Sequence, residues 1–145
     1  MPLIQLSSVG VYGSFISGLV DEHTPEKPVG LYEKTKAIFD QLVLKSSAQS
    51  GMQICIIRPS IVYGPRMPNQ SLFQMMEVIR KGWFFYIGPE GPSANYVHVN
   101  DVVNAIILCA IKPLAAGKIY NVSDWTTVEN MVQAISLGMD VTAPS

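Results

Sequence analysis

The sequence has few residues of the kinds that build metal, disulfide or polyanion-binding sites. Its 145 residues include only two cysteines and two histidines, and the formal net charge is −1. Cys55 and Cys109 lie in apolar runs, so we expect two small buried side chains and no metal site. The near-neutral charge provides no basic patch for a polyanion. We therefore expect no nucleic-acid partner.

Long hydrophobic runs are also missing. No apolar stretch reaches the roughly 18 residues of a membrane-spanning helix, and the first residues do not predict a signal peptide. We therefore expect no membrane association and a reducing, cytoplasmic setting. Hydrophobic residues nevertheless make up 48% of the chain, and its length suits one domain with a buried core.

The chain also lacks the glycine-rich turn that opens a doubly wound dinucleotide-binding fold. Such a fold begins with a strand, a turn and a helix whose N-terminus holds a pyrophosphate. Gly10, Gly13 and Gly18 have the wrong spacing, because Ile16 stands where the third glycine belongs and no amphipathic helix follows at once. The sequence therefore predicts no phosphate cradle here.

What the sequence does contain is a regular alternation of strand and helix patterns. The strands are predicted at 2–6, 53–57, 83–87 and 118–122, and the helices at 30–47, 71–81, 102–110 and 128–137. A strand, a helix and a strand in this order form a βαβ unit. The chain is therefore predicted to be an α/β protein with a parallel sheet.

Several local details accompany these elements. Leu31, Ile38, Leu42 and Val43 are predicted to form the apolar stripe of the first long helix. Asn100 or Asp101 is expected to cap the third helix, and Thr126 with Glu129 to form a capping box before the fourth. Dense turn residues occupy 88–92. Core packing is expected for Trp83, Phe84 and Phe85.

The most informative pair is Tyr32 and Lys36, which lie four residues apart and therefore share a helix face. A tyrosine is a poor base at neutral pH, and a neighbouring cation favours the phenolate. A serine hydroxyl from a strand end, such as Ser8, would then share a hydrogen bond with a substrate oxygen. The trio suits proton transfer coupled to hydride transfer, although Tyr-x-x-x-Lys alone is also typical of a solvated helix face.

Other segments provide the context for this pair. They are 3–13, Pro28, 56–66 with its Arg-Pro-Ser-Ile stretch, 96–102 and 119–124. In this order and spacing they resemble the extended short-chain dehydrogenase/reductase family, the NAD-dependent epimerases and dehydratases that act on nucleotide sugars. The resemblance runs from about Leu3 to about Leu137. It implies the C-terminal half of a Rossmann-like parallel sheet with helices, plus a small α/β substrate lobe.

The resemblance also implies roles for individual residues. Tyr32 would remove a substrate hydroxyl proton while hydride moves to the nicotinamide of NAD or NADP. Lys36 would orient the nicotinamide ribose. Ser8 would contact the substrate hydroxyl or carbonyl, with Ser7 as the adjacent alternative, since strand alternation turns the two side chains to opposite faces.

The loop formed by Pro59, Ser60 and Ile61 resembles the family loop that passes the nicotinamide and the sugar. Arg66 is a candidate substrate contact for an anion, and an exposed surface arginine is an equally good interpretation. Many nucleotide-sugar enzymes have Asn where this chain has Ile61, and commonly a diphosphate-binding Arg where it has Ala94. These departures suit the alternative of a carbonyl or hydroxysteroid-type reductase of the same superfamily.

By the family pattern, the chain starts at the fifth strand and ends before the usual C-terminal segment. The expected organisation is a single partial domain: 1–62 with the catalytic residues, 63–98 and 124–145 as substrate-lobe elements, and 99–123 as a helix and strand that return to the sheet. Without a glycine-rich turn, we expect no tight NAD(P) binding by this chain alone.

The same family pattern bears on assembly. It leaves the first strand with an unpaired edge, and the outer face of the Tyr32 helix without its neighbour. A bare strand edge is a template for pairing with another chain. We therefore predict a homodimer or higher oligomer, and a non-catalytic remnant that acts through self-association is a further alternative.

Overall fold

The computed structural model describes residues 2–13, 18–67, 70–87 and 91–144. The strands are β1 (Leu3–Leu6), β2 (Ile54–Pro59), β3 (Ile61–Tyr63), β4 (Ser93–His98), β5 (Lys118–Val122) and β6 (Asp124–Thr127). The helices are α1 (Leu31–Ser50), α2 (Ser71–Arg80), α3 (Val99–Ile111) and α4 (Val128–Gly138). Short 3-10 turns cover Val9–Tyr12 and Pro113–Ala115. The predicted α/β fold is confirmed.

The chain divides into two compact units, and the first comprises the described parts of Met1–Val62 and Val97–Ser123. Its sheet has three parallel strands in the order β1-β2-β5. Such parallel neighbours require crossover connections, which α1 and α3 provide. Among the described strands, β1 lies at one edge of this sheet.

Both faces of the central strand β2 are buried. Cys55 and Ile57 pack against Cys109 of α3, whereas the Arg58 side chain reaches Asp40 of α1. The two helices therefore cover opposite faces of the sheet. Burial raises the pKa of the Cys55 thiol to about 12, so this side chain stays neutral among its apolar neighbours.

Helix α1 places its small and polar side chains, and not its apolar stripe, against the rest of the first unit. Its buried residues are Ala37 and Asp40. Leu31, Ile38 and Leu42 are each more than half exposed. These three members of the predicted apolar stripe therefore lie on the exposed side of α1, because the small Ala37 allows close packing and Asp40 finds polar partners beneath the helix.

The second unit comprises the described parts of Tyr63–Tyr96 and Asp124–Ser145. Its sheet has the order β3-β4-β6, and β4 runs antiparallel to β6, with Ser93 opposite Thr127. Helix α2 packs against α4, and α4 packs against β6. These short strands were not among the sequence predictions.

The predicted strand at 83–87 is wrong. These residues have no regular secondary structure, and Trp83 and Phe85 are about 70% exposed (69% and 70%), which also contradicts their expected core packing. Phe84 is partly buried and lies edge-on to Tyr86, with 5.3 Å between ring centroids. An apolar run forms a strand only where a neighbouring strand offers a ladder, and none in the described chain does so here.

The predicted helix caps are each displaced by one or more residues. His98 caps α3, since its Nδ1 accepts a hydrogen bond from the backbone N–H of Asn100 at 3.3 Å. Thr127, not Thr126, caps α4 by accepting from the N–H of Asn130 at 3.2 Å. Of the predicted turn at 88–92, residues 88–90 lie outside the described chain, as does Ile16.

Candidate active site

Tyr32 and Lys36 lie on one face of α1, as predicted, and that face meets the end of β1. The Nζ of Lys36 lies 5.7 Å from the centroid of the Tyr32 ring. The same ammonium donates a 2.9 Å hydrogen bond to the carbonyl oxygen of Leu6, the last residue of β1. Tyr32 is 59% exposed, so its ring does not point into the core.

Ser8 lies just beyond β1 and caps the following 3-10 turn. Its Oγ accepts a 3.1 Å hydrogen bond from the backbone N–H of Gly10, and the residue is partly buried. A hydroxyl that accepts one bond still has a proton to donate. Ser7 differs, because its side chain is buried and donates to Asp40 Oδ2 at 2.7 Å.

Of the predicted Pro59-Ser60-Ile61 loop, only Ser60 lies between strands, because Pro59 is the last residue of β2 and Ile61 is the first of β3. The backbone N–H of Ser60 donates to the carbonyl oxygen of Val122 at 3.0 Å. The Ser60 Oγ is buried and has no hydrogen-bond partner within the described chain, and Ile61 is 47% exposed. A buried hydroxyl with free bonding capacity suits a polar group of a ligand.

Arg66, the candidate substrate contact, belongs to the second unit. Its side chain is exposed, and its backbone has a φ of 64°, in the left-handed region that non-glycine residues rarely adopt. Ala94 of β4, at the position where a diphosphate-binding arginine is common in the family, is 5% exposed.

The sequence analysis missed a buried polar network centred on Arg58, which is 1% exposed. Its Nε and Nη2 donate to Asp40 Oδ2 at 3.2 and 3.0 Å. Its Nη1 donates to the Tyr12 hydroxyl at 2.9 Å, and its Nη2 also pairs with Glu26. The Tyr12 hydroxyl in turn donates to Asn121 Oδ1 at 3.0 Å.

Burial and hydrogen bonding oppose each other within this network. Burial raises the pKa of the Asp40 carboxyl above its ordinary value, although the bonds from Ser7 and Arg58 act in the opposite direction. Burial acts to lower the pKa of Arg58, but bonds to Tyr12, Asp40 and Glu26 outweigh it and raise that pKa. The bonds from Ser7 and Arg58 all reach Asp40 through Oδ2, whereas its Oδ1 is buried and has no hydrogen-bond partner within the described chain.

Two signals in the sequence point to this pair. Asp40 continues the four-residue series of Tyr32 and Lys36 on α1. Arg58 ends an apolar strand, where a buried charge requires a partner.

The second unit contains a separate cavity of about 350 Å³. It lies between α4, α2 and the sheet, and its lining is mostly apolar: Tyr63, Leu72, Tyr96, Asp124, Thr126, Asn130, Met131, Ala134 and Ile135. The rings of Tyr63 and Tyr96 meet edge-on, with 6.3 Å between centroids. This cavity is large enough for a small organic group.

The described residues offer no arrangement typical of a metal site or of a membrane-spanning helix. No group of three or more His, Cys, Asp or Glu residues there is arranged to hold a metal ion. Within the same ranges, no helix is long and apolar enough to cross a membrane.

Comparison with known proteins identifies relatives for nearly the whole chain. It is 30% identical over 123 residues to UDP-glucose 4-epimerase of Vibrio cholerae, which covers 83% of this chain and 36% of the relative. It is 32% identical over 126 residues to short-chain dehydrogenase/reductase family 42E member 1 of Xenopus laevis, covering 76% of this chain and 32% of the relative.

A solved structure of a similar protein also matches nearly the whole chain. The dTDP-glucose 4,6-dehydratase of Bacillus anthracis in complex with NAD superposes with a TM-score of 0.77 at 26% identity, covering 99% of this chain and 48% of that one. This chain thus spans about a third of its curated relatives and about half of that structure. The family model for the NAD dependent epimerase/dehydratase family matches residues 1–123. The chain belongs to that family.

Proposed function

We propose that this chain provides the proton-transfer site of a nicotinamide-dependent nucleotide-sugar epimerase or dehydratase, an oxidoreductase-like reaction at a sugar hydroxyl. The observation that carries the proposal is the bond of Lys36 to the end of β1, with Tyr32 one turn earlier on the same helix face and Ser8 two residues beyond Leu6. A 30% identical relative named UDP-glucose 4-epimerase supports the substrate class.

In this proposal, the phenolate oxygen of Tyr32 accepts the proton of the substrate hydroxyl and becomes the neutral phenol. Its exposed ring presents the phenol oxygen to a ligand. The Lys36 ammonium, 5.7 Å from the ring centroid, stabilises the negative charge of the phenolate before it accepts the proton. Ser8 donates its remaining proton to the same substrate oxygen and holds it in place.

Lys36 and the Pro59-Ser60-Ile61 loop would hold NAD or NADP, which when bound supplies the hydride acceptor. The free Ser60 Oγ fits a polar group of that cofactor. The described residues show no glycine-rich turn before a helix, so we propose that binding by this chain alone is weak. The second unit, with its cavity and Arg66, would be the substrate lobe.

A reductase acting on a simple carbonyl is the second candidate. It is favoured by the exposed apolar Ile61 and the buried Ala94, which stand where polar and charged sugar contacts are common in the family. A 32% identical relative named as a short-chain dehydrogenase/reductase also supports it. The two candidates share the roles of Tyr32, Lys36 and Ser8 and differ only in the substrate.

The test is a titration of the isotope-labelled chain with millimolar NAD, followed by NMR. We expect fast-exchange shifts at the amides around Lys36 and Ser60. Lys36→Met should remove these shifts, whereas Lys34→Met, on the exposed side of the same helix turn, should leave them unchanged. Shifts that persist in Lys36→Met, or an unmodified chain that shows none, would overturn the proposal.

A further inference from the structure

We propose that Asp40 and Arg58 are positioning residues, which clamp the end of β1 against α1 and so place Ser8 beside Tyr32 and Lys36. The inference deepens the proposed function and rests on it. It assigns a role to the buried ion pair that the proton transfer itself does not use.

Two hydrogen bonds make up this clamp, and they join two adjacent residues at the end of β1 to two residues of α1. On the strand side, Leu6 offers its carbonyl oxygen and Ser7 its hydroxyl. On the helix side, Lys36 donates to Leu6 at 2.9 Å, and Asp40, one turn later, accepts from Ser7 at 2.7 Å. The strand end is thereby fixed at two successive residues, and Ser8 is the next residue along the chain.

Arg58 fixes the orientation of Asp40, the residue of α1 that accepts the hydrogen bond from Ser7. A single oxygen of Asp40 accepts from Ser7 and twice from Arg58, so the carboxylate has little freedom to turn. Arg58 is in β2, and its neighbour Ile57 accepts the backbone N–H of Ser7 at 2.7 Å. Charge-assisted bonds of this kind are short and directional, which suits precise placement.

The same guanidinium also ties down the chain between Ser8 and α1. It donates to the Tyr12 hydroxyl at the end of the 3-10 turn that Ser8 caps, and it pairs with Glu26 shortly before the helix. One buried cation therefore contacts the segments on both sides of the candidate site.

Stability alone does not explain this arrangement. A buried ion pair costs desolvation energy that its attraction only partly returns, and apolar residues of similar volume often stabilise a fold equally well. An ion pair, unlike an apolar contact, also fixes the orientation of the groups that it joins. A displacement of about 1 Å at a reacting group can cost about 100-fold in rate, so a rigid strand end has a functional use.

The experiment removes the bond between Ser7 and the carboxylate while keeping the ion pair. Ser7→Ala should raise the hydrogen-exchange rates of the amides at Gly10 and Val11, within the turn that Ser8 caps, by about tenfold or more. Ser7→Thr, which keeps the hydroxyl, should restore slow exchange. Ser47→Ala removes a hydroxyl bond at the far end of α1 and serves as the control.

A second measurement distinguishes a strand end that is displaced from one that is only more mobile. In the NAD titration, Ser7→Ala should keep the shifts around Ser60 but alter the direction of the shifts around Lys36, which bonds to Leu6 beside Ser7, and Ser7→Thr should reverse that change. Unchanged exchange and unchanged shifts in a folded Ser7→Ala chain would overturn the clamp. An unmodified chain without any NAD-dependent shifts would overturn the proposed function instead.

Discussion

At the scale of single residues, α1 uses opposite charges in two different ways. Lys36 is partly buried and binds a backbone carbonyl oxygen, which leaves its charge available to a ligand. Asp40 is fully buried, and its charge is taken up by Arg58 and Ser7. Lys36 therefore suits a role in the reaction, whereas Asp40 suits the positioning of neighbouring residues.

The buried pair predicts a large loss of stability when one partner is removed. Asp40→Ala leaves the buried Arg58 charge with the Tyr12 hydroxyl and, as its remaining charged partner in the described chain, the partly exposed Glu26. We expect the free energy of unfolding to fall by about 3 kcal/mol or more, measured by urea denaturation. The exposed Asp101→Ala should cost at most about 1 kcal/mol. Equal losses in the two variants would contradict the role of the pair.

Glu77 gives a prediction about pH. Hydrogen bonds from Arg80 and Lys81 lower the pKa of its carboxyl to about 2, from an ordinary value of 4.5. The folded chain binds this proton more weakly than the unfolded chain does, so the contribution to stability is present above about pH 4.5 and is lost as the pH falls through about 2.

The measurement is an NMR titration of the Glu77 side-chain carboxyl. A midpoint near 2 is expected, and Arg80→Gln should move it upward toward 4.5 because the two bonds from the guanidinium disappear. A midpoint that stays the same in Arg80→Gln would show that the ion pair does not form in solution.

At the scale of elements, the sequence predicted the helices and strands that have a recognisable local pattern. The strands β1, β2 and β5 and the four described helices were located because the sequence has an apolar run or a helical pattern at each of them. The strands β3, β4 and β6 were missed, because short strands depend on partners distant in sequence. The capping threonine of α4 was misplaced by one residue, since Thr126 and Thr127 are chemically equal and only the fold distinguishes them.

The sequence likewise predicted one part of the candidate site and missed another. The spacing of Tyr32 and Lys36 fixed their shared face, because a helix imposes it. The bonds of Arg58 to Asp40 and Tyr12 join residues 18 and 46 positions apart, so the sequence can mark Asp40 and Arg58 as unusual but only the fold shows that they pair.

The cap of α4 can be tested with a matched pair of threonines. Thr127→Ala removes the side-chain oxygen that accepts from Asn130, so we expect a loss of about 1 kcal/mol in the free energy of unfolding. Thr126→Ala, which makes no such capping bond, should cost less. Denaturation curves of the two variants measure the difference, and the reverse order would contradict the assignment of the cap.

At the scale of the whole molecule, apolar surface is exposed on α1. Leu31, Ile38, Phe39 and Leu42 are each more than half exposed, and β1 lies at the edge of its described sheet. Burial of about 800 Å² per partner is typical of a stable interface. We therefore propose that two copies of the chain associate through the exposed face of α1.

Light scattering at tens of micromolar tests this proposal. The unmodified chain should have the mass of a dimer or larger assembly, and Leu42→Glu should shift it toward the monomer. Leu137→Glu, at an apolar residue of α4 that is 85% exposed, is the control and should leave the mass unchanged. A compact monomer for the unmodified chain would refute the association.

The central claim is that Tyr32 carries the proton in hydride-transfer chemistry. It is tested in a chimera with measurable turnover, in which residues 1–123 replace the matching segment of the Vibrio cholerae UDP-glucose 4-epimerase. Tyr32→Phe should lower kcat by at least about 100-fold, the usual contribution of a general acid–base group. Tyr120→Phe, at a tyrosine of β5 that is 38% exposed, should leave kcat unchanged. Full activity of Tyr32→Phe would contradict the claim.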